Sequence, residues 1–169
     1  SPNKLLNIDK RKFNIYIFSD EVYRGIETDE TKRMPQVADV YEKGLSLNVM
    51  SKAYGLPGLR IGWIAGQDTA LLEKLERFKH YLTICNSGPS EILSLIALKA
   101  RDKILLKNNK LIFDNLNKLD NFFLEFPNTF EWKRPDGGAV AYPKYIGPGS
   151  TDQFCQDLLE ETGIMILPP

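Results

Sequence analysis

Apolar residues in the first two-thirds of the chain come in short runs separated by turn formers. Asn14-Ile-Tyr-Ile-Phe-Ser19 is β-branched and aromatic with little alternation, which predicts a strand covered on both faces by helices and ending at Asp20. Leu45-Ser-Leu-Asn-Val-Met50 predicts a second strand. Gly55, Pro57 and Gly58 then rule against a continuous helix, so 51–58 is expected to be a shaped loop. Ile61-Gly-Trp-Ile-Ala65 predicts a third strand. Asp68 is placed to cap a helix from Thr69 to Lys79, with Leu71, Leu72 and Leu75 on one face.

From Pro89 onward the period lengthens. Ile92, Leu95, Ile96 and Ala97 predict one helix, and Leu105, Leu106, Ile112, Leu116, Leu119 and Phe123 predict another over 103–126, long enough to bridge two domains. After Phe126-Pro127 the pattern breaks into short pieces. These are Thr129 to Lys133, a Pro-Asp-Gly-Gly turn at 135–138, Ala139 to Pro143, a helix from Thr151 to Glu161, and a last strand over Ile164 to Leu167. Strand, loop, strand and helix in that order point to α/β layering.

Composition narrows the function classes. Lys plus Arg and Asp plus Glu are 22 each in 169 residues, with 43% hydrophobic residues, as in an ordinary globular protein with no charge bias toward nucleic acid. The basic positions Lys99, Arg101, Lys103, Lys107 and Lys110 are interleaved with Leu105, Leu106 and Leu111 and read as a solvated helix face. Apolar runs such as Ile92–Leu98 stop far short of the roughly 20 residues of a membrane span. The opening Ser-Pro-Asn-Lys-Leu-Leu lacks the pattern of an export signal, so a cytoplasmic location is expected. Cys85 and Cys155 form no Cys-x-x-Cys motif and His80 is the single histidine, which leaves disulfide and metal chemistry without a basis. A chain that opens without Met and stops after Leu167-Pro168-Pro169 is expected to be a fragment.

The chemistry-bearing residues stand in two loops. Asp20 and Tyr23 follow the first strand; Ser51, Lys52, Gly55, Gly58 and Arg60 follow the second. Singly, each has an ordinary explanation as turn, cap, packing or solvated charge. Together, Ser19-Asp20-Glu21-Val22-Tyr23 and Ser51-Lys52-Ala53-Tyr54-Gly55-Leu56-Pro57-Gly58-Leu59-Arg60-Ile61-Gly62 resemble the class I/II aminotransferases, fold-type-I enzymes that use pyridoxal 5'-phosphate (PLP). Asn86-Ser-Gly-Pro-Ser90 and Pro135-Asp-Gly-Gly138 continue the resemblance more loosely.

That resemblance implies residues 1–104 as the C-terminal part of a PLP-binding large domain with a mainly parallel sheet flanked by helices. It implies 105–169 as an interdomain helix and the start of a small C-terminal α/β domain. It also implies a role for each residue. Lys52 would form the Schiff base with the PLP aldehyde, its pKa lowered by a desolvated site, and then serve as the catalytic proton carrier. Asp20 would sit against the pyridine nitrogen in a place sheltered from water, and the Tyr23 phenol would donate to the ring oxygen. Arg60 would grip the phosphate through paired charge-assisted hydrogen bonds, with Ser51 adding a hydroxyl. Transfer of an amino group between an amino acid and a 2-keto acid, in a homodimer, is the expected activity.

The chain departs from the pattern in places. Val49 stands three positions before Lys52, where several members carry a hydroxyl. The family's ring-oxygen asparagine, ring-stacking aromatic, glycine-rich phosphate loop and carboxylate-gripping arginine have no counterpart here. The 169 residues alone are therefore expected to be inactive and to bind PLP weakly or not at all. Carbon-sulfur β-lyases, aminocyclopropane-carboxylate synthase-like enzymes and the aminotransferase-like sensor domains of transcription regulators share these motifs. A folded scaffold or dimerisation piece is a further alternative.

Overall fold

The computed structural model describes residues 14–168. Contacts divide the chain into two compact units, one running to Phe113 and taking back Asp136–Ala139, the other formed by Asp114–Pro135 and Val140–Pro169.

In the first unit, β1 (Ile17–Asp20), β2 (Gly44–Val49) and β3 (Gly62–Gly66) form one sheet in that order. The β1 and β2 strands are parallel, with Ile17 opposite Gly44 and Asp20 opposite Leu47. The connection holds a turn, a 3-10 turn at Glu30–Lys32 and the short helix α1 (Val37–Val40). β3, however, runs antiparallel to β2, with Val49 opposite Gly62 and Leu45 opposite Gly66. Among the described residues one pairing is therefore parallel and one antiparallel. Parallel returns usually cross over through a helix, whereas 50–61 holds only a single 3-10 turn and is closed at its base by Met50 N on Ile61 O, so the chain folds back beside β2 as a hairpin.

Helix α2 (Thr69–Leu82) starts as its sequence predicts, the Asp68 carboxylate accepting from Leu71 N at 3.0 Å. The Tyr16 hydroxyl donates to the other Asp68 oxygen at 2.5 Å. That bond holds the Asp68 carboxyl below the usual carboxylate range and the Tyr16 phenol above its own. Helix α3 (Gly88–Lys99) buries Ser94 and Ala97 while Ile92, Leu93, Leu95 and Ile96 are exposed. Helix α4 spans Arg101–Glu125. Its Leu105 joins Ile26 and Ala53 in a buried cluster, with Tyr23, Tyr54 and Ile112 packed around it.

The second unit contains the rest of α4, a two-stranded hairpin of β4 (Phe130–Glu131) and β5 (Lys144–Tyr145), and α5 (Thr151–Thr162). Aromatic rings dominate its interior: Trp132 stacks on Phe123 at 4.6 Å and Tyr145 on Phe154 at 4.5 Å, with Phe130 edge-on to Phe123, Tyr145 and Phe154. The short piece Ala139 to Pro143 is irregular, and pairing begins one residue later at Lys144. One expected strand does not form. Ile164 to Leu167 is exposed and unpaired among the described residues, because a strand needs a neighbour to satisfy its backbone.

Candidate active site

Strand β1 ends on Asp20, and the chain turns at once. Asp20 Oδ1 accepts from Val22 N at 3.2 Å, while Glu21 N donates to Leu47 O at 2.9 Å and keeps the turn beside β2. A second turn follows, closed by Ile26 N on Tyr23 O at 3.2 Å. Gly25 takes a φ of 94° there, a backbone only glycine adopts without strain, and a Cβ on it would lie 2.9 Å from Leu105 Cδ1. The Glu27 carboxylate braces this turn by accepting from Gly25 N at 3.1 and 3.0 Å and from Arg33 Nε at 2.9 Å. Burial pushes the Glu27 carboxyl up, but the bonds from Arg33 and Gly25 outweigh it and leave it below the ordinary glutamate range.

The second loop hangs from the hairpin. Met50 N donates to Ile61 O at 2.9 Å and closes its neck; Leu56 N returns to Met50 O at 2.9 Å, and Gly55 N to Lys52 O at 2.9 Å. Pro57–Leu59 make one 3-10 turn, and Arg60 ends it in the left-handed region at φ 54°, ψ 37°. A residue with a Cβ in that region costs about 1–2 kcal/mol, so the conformation marks a constrained position. It directs the Arg60 guanidinium onto Pro57 O at 3.0 Å and Ser51 Oγ at 3.4 Å.

The two loops meet. Ala53 N donates to Val22 O at 3.4 Å, and Lys52 Nζ lies 5.8 Å from the centre of the Tyr23 ring, within cation–π range. Two groupings result, Lys52 with Tyr23 and Arg60 with Ser51. A cavity of about 340 Å³ takes in Asp20 and Tyr23 together with Glu21, Arg24, Lys32 and Gly138, and does not reach Ser51, Lys52 or Arg60. Asp20 and Lys52 are both exposed in this chain, as is Arg60.

Several contributors escaped the sequence reading. Glu21, quoted only as part of a motif, accepts at Oε1 from Ser46 Oγ at 2.8 Å and from Val37 N at 2.9 Å; fully buried Ser46 accepts in turn from Ala38 N at 3.1 Å. This chain ties the Asp20 turn to β2 and α1. Asp136–Gly138 lies alongside 26–28, with Thr28 N on Asp136 O and Gly138 N on Ile26 O, both at 2.9 Å. A Cβ on Gly137 would lie 2.8 Å from Glu27 Cα, and one on Gly138 3.4 Å from the Tyr23 ring. The Gly-Gly pair was visible in sequence as a turn, but its partner was not.

As a donor set, an amine, a phenol and a carboxylate within neighbouring loops, with a guanidinium and a hydroxyl side by side, suit a small anionic ring compound carrying a phosphate and an aldehyde. The comparisons with known proteins agree with that chemistry. The family described as aminotransferase class I and II matches residues 2–169. Capreomycidine synthase of Streptomyces vinaceus is 28% identical, the match covering 87% of this chain and 38% of that protein. The "probable aspartate/prephenate aminotransferase" of Rickettsia prowazekii is 30% identical over 98% of this chain and 45% of its own length. Among solved structures, a PLP-dependent aminotransferase from Streptococcus suis superposes with a TM-score of 0.89 at 32% identity, covering 99% of this chain and 43% of that one. The chain spans less than half the length of these relatives. With its fold, its two motif loops and a family match over nearly every residue, the chain belongs to the aminotransferase class I and II family.

Proposed function

We propose that this chain supplies the lysine-bearing part of a PLP-dependent aminotransferase that moves an amino group between an amino acid and a 2-keto acid. The observation that carries the reading is the junction of the two loops, where Ala53 N meets Val22 O and Lys52 Nζ meets the Tyr23 ring. When bound, PLP supplies an aldehyde carbon for an amine to attack and a ring that withdraws electrons from the substrate α-carbon.

The chain's own residues do the rest. Lys52 holds the aldehyde through its amine and afterwards carries a proton to and from the substrate α-carbon. The Tyr23 hydroxyl donates to the ring oxygen. Asp20, at the end of β1, holds the proton on the ring nitrogen. Arg60 and Ser51, already 3.4 Å apart, bind phosphate oxygens, the guanidinium contributing a planar pair of donors. The same reading places the PLP-binding large domain in 1–104 and the interdomain helix with the start of the small domain in 105–169. The single helix α4, which contributes to both compact units, is in keeping with it. A homodimer in the cytoplasm completes the proposal; the exposed apolar side chains of α3 favour association, and no helix among the described residues is long and apolar enough to cross a membrane.

A second reading, a synthase-type reaction on the same residues, draws on the likeness to capreomycidine synthase. One experiment separates the two. The protein at its full natural length is treated with PLP and borohydride, the modified peptide is mapped, and amino group exchange is assayed across a panel of amino and keto acids. Label on Lys52 with matched gain and loss of nitrogen supports transamination; label on Lys52 without exchange favours the synthase reading; label elsewhere removes both.

A further inference from the structure

Helix α4 presents Leu105, Asn108, Asn109 and Ile112 on one face, at the spacing i, i+3, i+4, i+7. Leu105 and Ile112 belong to the apolar cluster under the two motif loops. The two asparagines between them do something apolar residues cannot. Asn108 Nδ2 donates to Ala53 O at 2.9 Å, the carbonyl directly after Lys52, and a Cβ on Gly55 would lie 3.5 Å from the same nitrogen. Asn109 Nδ2 donates to Gly25 O at 2.9 Å, inside the turn that begins at Tyr23. Neighbouring helix positions diverge by about 100°, so consecutive carboxamides reach two different loops. Asparagine is a poor interior residue for a helix, and a pair of them on the apolar face calls for a reason beyond helix formation.

We propose that Asn108 and Asn109 are positioning residues, the first setting the Lys52 loop and the second the Tyr23 turn, so that one rigid helix fixes the distance between amine and phenol. The proposal rests on the cofactor roles given above for Lys52 and Tyr23. A side chain donor on a loop carbonyl holds the peptide plane as well as the position, here the Ala53–Tyr54 and Gly25–Ile26 planes, so each loop is seated one or two residues beyond the side chain it presents. Lengthening or losing one bond displaces one loop and leaves the other.

The test uses the full-length protein with Asn108→Ala, Asn109→Ala, Asn108→Asp and Asn108→Gln. Hydrogen exchange is followed at the Ala53, Gly55, Gly25 and Ile26 amides, alongside the pH profile of Lys52 acylation in the cofactor-free protein and the affinity for PLP. Asn108→Ala is expected to speed exchange at Ala53 and Gly55 by about five-fold, the net worth of one hydrogen bond, and to move the Lys52 profile while sparing Gly25 and Ile26. Asn109→Ala should do the reverse, and PLP affinity should fall about five-fold in both. Asn108→Asp, which sets an acceptor against the Ala53 carbonyl, should lose more than alanine; Asn108→Gln should recover part of the loss. Equal acceleration at all four amides, or no change in the Lys52 profile with Asn108→Ala, overturns the proposal. Failure of the cofactor reading shows separately, as absence of a borohydride-fixed PLP on Lys52 in the unmutated protein, and leaves the exchange pattern interpretable.

Discussion

Lys52 Nζ lies 5.8 Å from the centre of the Tyr23 ring although the two residues sit on different loops after different strands. What joins them is the bond from Ala53 N to Val22 O, one residue on from the lysine and one before the tyrosine. A backbone bond of this kind survives replacement of either the lysine or the tyrosine side chain. Tyr23→Phe should therefore keep PLP bound to Lys52 and lower turnover by roughly 10-fold, whereas Lys52→Ala should remove the proton carrier and cost on the order of 10²–10⁴-fold in turnover. Rapid-mixing kinetics with the full-length protein distinguishes the two, and equal losses would show that the phenol does more than donate one bond.

Gly25 tests how tightly α4 seats the first loop. An alanine there meets both a φ of 94° and Leu105 Cδ1 at 2.9 Å. Crowding of a packed contact usually costs about 1–3 kcal/mol, and the left-handed backbone adds to it. Urea unfolding should show Gly25→Ala losing at least that much, and Gly25→Ala with Leu105→Val recovering only the steric share. Full recovery would mean the backbone conformation is immaterial.

Ser46→Ala probes the buried chain from Ala38 through Ser46 to Glu21. The hydroxyl is fully buried, donates to Glu21 and accepts from Ala38 N, so its removal strips two partners at once. A loss of about 1–3 kcal/mol is expected. Exchange at the Ala38 and Val37 amides should rise with it; unchanged protection would locate the energy elsewhere.

Asp120 gives the second unit a pH dependence of known sign. Trp132 Nε1 donates to its Oδ1 at 2.7 Å, Arg134 pairs with Oδ2, and these bonds hold the Asp120 carboxyl below the ordinary aspartate range. A depressed carboxylate contributes stability that is complete above the unfolded pKa and is lost as pH falls through the lower folded value. The stability gap between unmutated protein and Asp120→Asn should thus narrow on acidification below the usual aspartate range, followed through Trp132 fluorescence with Trp63 replaced by Phe. A gap that widens on acidification would reverse the assignment.

Much of this architecture was legible because local signals and tertiary partners agree. The Asp68 cap, the helix behind it and the second and third β-rich runs start within a residue of expectation, since short-range chemistry determines them, while the first strand begins at Ile17, three residues after Asn14. The direction of β3 follows from a connection without a crossover helix, closed by Met50 N on Ile61 O, and not from strand composition. Asn108 and Asn109 stayed silent because their partners are 55 and 84 positions away, and no periodicity encodes such a reach. Ile164–Leu167 misled for the opposite reason: its composition is that of a strand, but composition supplies no neighbour to pair with.

The bond from Met50 to Ile61 ties off the span of Ser51 to Arg60 at its base. Both anchor points belong to the sheet, and the buried Ala53 within the span is held again by Val22 and Asn108. A loop clamped at its mouth and at its one buried residue inherits the interval from amine to guanidinium from the backbone, not from the exposed side chains between them.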